Sequence, residues 1–324
     1  MTISIVIVSF NTKDLLRECL ESVRNECAGI AHEIFVVDNI SRDGSADMVE
    51  REFPDVHLIR SATNLGFAAA NNRAFPRATG RYLVLLNSDA FLHAGALQKA
   101  ISYMDAEEQI GLGGARLVGR DGSWQPSARL FPSVLNDLLT LSGLAAKFPA
   151  SRFFGRFDRT WADDNVPEDV DWVPGAFSII RKSVLDHVGN FDQNFFLYYE
   201  EVDLCRRIKR AGYTIRYWPD VRVIHLGGES SKTMGTVQMS SSGSQLTLWR
   251  VRSGFLYYRK HHGNLAWWVK QMEASWHRIR ARKNASVSDS SHSGKAVESR
   301  TMIALLDKAW RETSGGRVSP PRPW

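Results

Sequence analysis

Residues 3–10 form a nearly uninterrupted run of apolar and β-branched side chains, Ile3-Ser4-Ile5-Val6-Ile7-Val8-Ser9-Phe10, the pattern of a strand buried on both faces. Leu15, Leu16, Cys19, Leu20 and Val23 then recur at helical spacing, which predicts a helix capped by Asn11 or Thr12. A second apolar run over 34–37 ends at Asp38. A polar turn over 39–45 leads into a short helix, and a third strand is predicted over 56–60. A helix over 68–78 and a strand over 82–86 follow, the strand ending in Asn87-Ser88-Asp89. Strand and helix alternating at such short intervals predict an α/β domain with a Rossmann-like, mostly parallel central sheet flanked by helices. Ligands of such sheets bind beyond the carboxyl ends of the strands, where this chain places Asp38 and Asp89.

From 111 to 181 strand and helix signals mix. Trp124-Gln125-Pro126 and Trp172-Val173-Pro174-Gly175-Ala176 predict turns over a cleft. A helix over 199–211, stopped by Gly212, opens with Glu200, Glu201 and Asp203 beside Tyr198 and Tyr199. Neighbouring like charges raise one another's proton affinity, and a partly desolvated carboxylate is a better general base than one in water. Acids also favour the first turn of a helix simply as complements to its dipole. Asp203 has Arg207 one turn on as an ion-pair partner. Short strands are predicted over 214–217 and 221–225, and the Gly- and Ser-bearing stretch 227–244 reads as a mobile loop and a candidate lid. Residues 250–282 read as basic aromatic helix, 284–299 as a Ser-rich linker, and the tail as poorly ordered apart from a short helix over 302–310.

Composition narrows the classes. A chain of 324 residues, 44% hydrophobic and 23% charged, has room for one large domain and an appendage. The net charge of +6 is uneven: residues 250–283 hold nine Lys or Arg against one acid, Glu273. The body is therefore not a nucleic-acid surface. Cys19, Cys27 and Cys205 lack metal-ligand spacing and suggest a reducing compartment, with Cys19 and Cys205 in the core. No apolar run reaches the roughly 18–20 residues of a membrane span, and no signal peptide precedes Met1-Thr2-Ile3. A cytoplasmic protein is expected. Ser9-Phe10-Asn11-Thr12 stands where a Gly-x-Gly-x-x-Gly or Walker loop would be, which disfavours dehydrogenases and P-loop enzymes and, lacking a basic glycine-rich grip, sugar-nucleotide pyrophosphorylases.

Val37-Asp38-Asn39, Asn64-Leu65-Gly66-Phe67-Ala68-Ala69-Ala70-Asn71-Asn72, Asn87-Ser88-Asp89, Trp172-Val173-Pro174-Gly175-Ala176, Glu200-Glu201-Val202-Asp203 and Val223-Ile224-His225 follow the opening strand in that order. With these the chain resembles family-two glycosyltransferases, and among them the bacterial rhamnosyltransferase-like branch, over about residues 3–260. The resemblance implies a GT-A fold with a C-terminal helical extension, a nucleotide-diphosphate-sugar donor, a divalent metal and inversion at the anomeric carbon. The implied organisation is a catalytic domain over 1–245, its nucleotide-sugar half about 1–110 and its acceptor half about 111–245. A basic aromatic extension over 246–283 and a linker and tail over 284–324 complete it.

By the same resemblance Asp89 matches the second acid of an Asp-x-Asp position, binding Mn²⁺ or Mg²⁺ on the diphosphate, with Asn87 in the first place. His225 matches a second metal ligand, and an imidazole suits Mn²⁺ somewhat better. Two blander readings stay open: Asp89 as the cap of a helix over 91–103, and His225 as a core histidine. Glu201 matches the base, with Glu200 orienting the acceptor or raising the pKa of Glu201, although the two could exchange roles. Asp38 matches the acid that takes the imide of uracil or thymine, or else makes an Asx-turn with Asn39. Ser9, Asn11, Asn64, Gly66, Asn71, Asn87 and Ser88 are expected at the donor. Trp172 and Gly175 are expected at the acceptor, where Trp172 either stacks on a sugar or is core. The expected reaction moves a sugar, rhamnose from dTDP-rhamnose on the branch resemblance, to a hydroxyl of a saccharide or lipid-linked saccharide of a bacterial surface or cell-wall glycan. Alternatives are a UDP-hexose or UDP-N-acetylhexosamine transferase, or a non-catalytic glycan- or membrane-binding relative. Trp267 and Trp268 in the basic stretch 250–283 suggest peripheral contact with the inner face of the cell membrane, or a wall closing the acceptor cleft.

Overall fold

The computed structural model describes residues 1–227, 245–285 and 290–320, so the lid expected over 227–244 lies, beyond Gly227, outside the described residues. Ten strands form one sheet: β1 (Ile3–Ser9), β2 (His32–Asp38), β3 (His57–Arg60), β4 (Tyr82–Asn87), β5 (Ala90–Leu92), β6 (Ile110–Val118), β7 (Trp124–Gln125), β8 (Glu168–Asp169), β9 (Phe177–Arg181) and β10 (Thr214–His225). Their order is β3-β2-β1-β4-β9-β6-β10-β5, with β7 beside β6 and β8 beside β10. The first four are parallel. β9 runs antiparallel between β4 and β6, and β6 is parallel to β10. β1, β2, β3, β4, β6 and β10 therefore all point one way, and the mostly parallel sheet is as expected. Ser9, Asp38, Asn87 and His225 end their strands along one edge.

The helices are α1 (Lys13–Glu26), α2 (Ser45–Glu52), α3 (Gly66–Ala74), α4 (Ala96–Ala106), α5 (Val134–Leu141), α6 (Leu144–Lys147), α7 (Lys182–Val188), α8 (Glu200–Arg210), α9 (Gln245–His262), α10 (Leu265–Ala285) and α11 (Ser290–Glu312). Successive side chains of a strand face opposite ways. Ile3, Ile5 and Ile7 accordingly join one core with α1, α2 and α4, while Val6 joins a second with α3, α7 and α8. Cys19 and Cys205 are buried, one in each core.

Four local expectations change. The helix over 91–103 is preceded by β5, which pairs with the edge of β10, and α4 starts only at Ala96; Asp89 is therefore not its cap. The strands over 214–217 and 221–225 are one, β10, with a register shift between Trp218 and Arg222. Pro219 between them lacks the N–H a regular ladder needs. The basic helix is two helices, α9 and α10, broken at Gly263 with φ 59°. Of the linker expected over 284–299, residues 284–285 end α10, 286–289 lie outside the described residues, and the rest joins the short helix expected over 302–310 in α11. Its polar composition hides a sparse stripe, of which Met302, Leu306 and Ala309 pack on Leu248, Val251, Phe255 and Ala274. The tail then returns to the body, where Ser319 Oγ donates to the Asn194 carbonyl at 2.9 Å.

A buried cluster pins α8 to α9. Asp203, fully enclosed, accepts from Arg207 Nε at 2.9 Å as the i, i+4 spacing predicts. It also accepts from Lys260 Nζ and His261 Nε2, each at 2.7 Å. Hydrogen bonds from His261 and the nearby Arg207 and Lys260 charges outweigh burial and hold its pKa down at about 2.

Candidate active site

β5 returning along β10 pairs Ala90 with His225, and the Leu226 N–H donates to the Asp89 carbonyl at 3.1 Å. His225 Nε2 thereby comes 3.6 Å from Asp89 Oδ1 and 3.4 Å from Asn87 Nδ2. The other ring nitrogen, Nδ1, is 3.0 Å from Gln125 Oε1. That amide is oriented by its own Nε2, which donates to the His225 carbonyl at 2.8 Å. A carbonyl oxygen requires a donor, so the ring proton belongs on Nδ1 and the Nε2 lone pair faces Asp89. Burial lowers the His225 pKa against the pull of Asp89, which favours the neutral, ligating ring. Asp89 and His225 thus fit a divalent ion, while Asn87 turns its Nδ2–H to the ring. Among the described residues no group of three His, Cys, Asp or Glu is placed to hold one.

The neighbouring strand ends are tied to one another. Ser88 accepts from Thr12 Oγ1 at 2.9 Å, and Thr12 is 3.1 Å from Ser9 Oγ; this buried row of hydroxyls joins the loops after β1 and β4. Thr12 stands at the cap position of α1 but makes no capping bond. Asn11, at φ 52°, accepts the Arg42 N–H at 2.7 Å, and its own N–H donates to Ser41 Oγ at 3.0 Å. Asp38 Oδ2 accepts the Ser41 N–H at 3.1 Å, while Oδ1 is buried with no hydrogen-bond partner among the described residues. One oxygen makes the turn and the other is available to a ligand N–H. Ile40, a β-branched residue at φ 64°, marks this loop as strained.

Asn64, Gly66 and Asn71 are engaged within the protein. Asn64 Oδ1 accepts from Asn39 Nδ2 at 3.0 Å and from the Gly66 N–H at 2.9 Å. Asn71 Nδ2 donates to the Phe67 carbonyl at 2.9 Å. Gly66 has φ 76°, and a Cβ there would lie 2.1 Å from the Phe196 carbonyl oxygen. The close approach it permits is to the segment leading into α8.

That segment carries the carboxylates. Tyr198 and Tyr199 are both left-handed, φ 69° and 71°, at about 1–2 kcal/mol per residue. α9 holds the turn: Ser253 Oγ donates to the Leu197 carbonyl at 2.8 Å, and Tyr257 packs on Tyr199 with ring centres 5.4 Å apart. The Oε2 atoms of Glu200 and Glu201 are buried with no hydrogen-bond partner among the described residues. Burial, reinforced by the Glu201 charge, raises Glu200 well above the ordinary carboxylate range. Burial also raises Glu201, against the pull of Arg129. Of the two, Glu201 lines a cavity of about 520 Å³, shared with Arg129, Asp137, Trp172, Tyr198 and Glu273.

Trp172 is 6% exposed, its Nε1–H donates to the Leu130 carbonyl at 2.8 Å, and its remaining surface borders the cavity. A Cβ on Gly175 would touch the Phe67 ring at 3.3 Å. The Asn87 N–H donates to the Ala176 carbonyl at 3.1 Å, so the segment 172–176 runs from the cavity to the Asp89–His225 pair. Sequence reasoning gave no site role to Thr12, Gln125, Arg129, Asp137 or Glu273. Thr12 read as a cap and Gln125 as part of a turn; the others carry no local signal, because only tertiary packing assembles them.

A mostly parallel sheet whose strand ends gather an acid and a histidine, with a carboxylate helix facing a cavity, is the GT-A class of glycosyltransferase fold. A mannosyltransferase from Pyrobaculum calidifontis, solved with GDP-mannose and Mn²⁺, shares it: TM-score 0.58 over 95% of this chain and 86% of that one, at 16% identity. The chain belongs to glycosyl transferase family 2, whose family model matches residues 4–189. It is similar to the N-acetylglucosaminyl-diphospho-decaprenol L-rhamnosyltransferase of Mycobacterium tuberculosis, 26% identical over 203 residues that cover 59% of this chain and 66% of that one. It is also similar to rhamnosyltransferase WbbL of Escherichia coli, 26% identical over 266 residues that cover 78% and 91%. The protein is a glycosyltransferase with rhamnosyltransferase relatives.

Proposed function

We propose that the protein is an inverting, metal-dependent rhamnosyltransferase that moves rhamnose from dTDP-rhamnose to a hydroxyl of a lipid-linked saccharide in surface-glycan synthesis. The observation that carries the mechanism is the Glu201 carboxyl at the cavity wall, its Oε2 unpartnered among the described residues, joined through the segment 172–176 to the Asp89–His225 pair. In this reading Glu201 takes the proton of the acceptor hydroxyl as that oxygen bonds to the anomeric carbon. The bond from that carbon to the dTDP oxygen breaks on the opposite face, which inverts the centre. Asp89 and His225 would hold Mn²⁺ or Mg²⁺, which when bound offsets charge on the departing diphosphate, with Asn87 beside them at the donor. Asp38 Oδ1 accepts the thymine imide N–H, and the strained Asn11 and Ile40 turns hold the loop that presents it. The relatives' names support the donor sugar, and the diphospho-decaprenol in the name of the mycobacterial enzyme supports a lipid-linked acceptor at the inner face of a membrane.

Thermal-shift titration with dTDP, UDP and GDP, each with and without Mn²⁺, tests this. Stabilisation by dTDP that requires the metal and is lost in Asp89→Ala is the expected result. A preference for UDP would transfer the reading to a UDP-sugar donor, and no metal-dependent shift with any nucleotide would overturn it.

A further inference from the structure

The cavity beside Glu201 is closed by residues outside the stretch matched by the family model. α9 contributes Arg250, Gly254 and Tyr258, and α10 contributes Val269, Glu273 and His277. Three features of this wall go unused by the chemistry above. No described residue hydrogen-bonds the Glu273 carboxyl, and burial with Asp137 nearby raises its pKa to about 7. Asp137 faces the same space; Tyr258 donates to its Oδ2, and burial raises it to about 6. His277 is only 7% exposed, and its Nδ1 is buried without a hydrogen-bond partner among the described residues.

The Nδ1 of His277 is left buried without a partner among the described residues, at a cost of about 1–3 kcal/mol, while Glu273 and Asp137 line the cavity as carboxyl acceptors open to the donors of whatever fills it. The cavity sets the carboxyl groups of Asp137, Glu201 and Glu273 beside Arg129 and Arg250, a mixed lining that suits a neutral polar ligand better than an anion, and an alkyl chain would leave these groups unsatisfied. Sugar hydroxyls supply donors in pairs, and Trp172 and Tyr198 in the same walls offer apolar ring faces. We propose that α9 and α10 complete the acceptor pocket, with Glu273 and Asp137 accepting hydrogen bonds from the hydroxyls of a neutral saccharide whose reacting hydroxyl is presented to Glu201. This rests on the glycosyltransferase reading and assigns its acceptor selectivity to the C-terminal helices.

Calorimetric titration of the full chain, saturated with dTDP and Mn²⁺, with octyl glycosides of N-acetylglucosamine, glucose and galactose is the test. One glycoside should bind wild type, and Glu273→Leu should weaken that binding about tenfold or more. Thr140→Trp, which fills the cavity from an exposed position at its rim, should abolish it. Both variants should keep the wild-type thermal shift with dTDP and Mn²⁺, which reports folding and the donor site separately. Binding by both variants as tight as wild type, binding of octanol as strong as that of the glycosides, or no glycoside binding to wild type would each overturn the assignment. Loss of the dTDP shift in wild type itself would instead strike the underlying reading.

Discussion

Glu201 and Glu200 are adjacent in sequence and both lack a partner for Oε2, yet only Glu201 borders the cavity. As the proposed base, Glu201 must lose its proton to act, and burial holds its pKa above the ordinary 4.5. The kcat/KM for transfer should therefore rise with pH through a range above that of a free glutamate. Glu201→Gln should lower transfer by about 10²–10⁴-fold while dTDP still shifts the melting temperature; retained transfer would move the base elsewhere. Glu200 makes its prediction in stability. Its folded pKa is raised, so the folded protein binds more protons than the unfolded chain between the two pKa values. Its contribution is most favourable below the unfolded value and is lost as pH rises through the folded one. Glu200→Gln should then raise Tm at pH 8, with the gain shrinking as pH falls to about 4. A gain that does not vary with pH would mean that Glu200 is ionised in the fold without penalty.

At the scale of elements, α8 is fixed by what α9 brings to it. Asp203 takes bonds from Arg207, Lys260 and His261 in an enclosed site, and removing one member of a buried charge cluster leaves the others uncompensated. Asp203→Ala should cost about 3–5 kcal/mol in urea unfolding at neutral pH; a loss below 1 kcal/mol would show the clasp to be incidental. Because the Asp203 pKa is depressed to about 2 from the ordinary 3.8, its stabilisation is present above about pH 4 and is lost as pH falls through about 2. The Asp203–Arg207 half of this clasp was legible in the sequence as an i, i+4 pair. The Lys260 and His261 half was not, since nothing local marks residues almost sixty positions apart as neighbours. The same division runs through the other elements. β1 and α1 announce themselves by dense periodicity. α11 does not, because Met302, Leu306 and Ala309 are scattered among serines and charges and gain their meaning from the surface of α9 and α10. In the candidate site Asp89, His225 and Glu201 stand at strand and helix ends that periodicity locates, whereas nothing in the sequence marks the bonds that Asn64 Oδ1 and Asn71 Nδ2 make within the protein.

For the whole molecule, the remaining question is how the protein would reach the lipid-linked acceptor proposed for it. No helix among the described residues is long and apolar enough to cross a membrane. α10 turns Val269, Ala274 and His277 inward and leaves Trp267 43% and Trp268 59% exposed, with Leu265 and Ile279 also outside. Trp268 and Ile279 are eleven residues apart, close to three full turns, and so share a face. Arg278, Arg282 and Lys283 are exposed on the same helix. Exposed tryptophans beside basic residues are the composition of a helix lying in an anionic interface. Under the proposed membrane approach, the full chain should co-sediment with vesicles containing phosphatidylglycerol and not with purely zwitterionic ones. Binding should weaken as salt is raised, because the charge contribution is screened within a Debye length of about 10 Å at 0.1 M. Trp267→Ser with Trp268→Ser should reduce vesicle binding about tenfold or more, since each buried aromatic contributes about 1.5–3 kcal/mol. The same double variant should leave the dTDP thermal shift and binding of the octyl glycoside untouched, because neither tryptophan lines the cavity. Unchanged vesicle binding would remove α10 from the membrane and leave its outer face without that role, while the inner face, with Glu273 and His277, would keep its own.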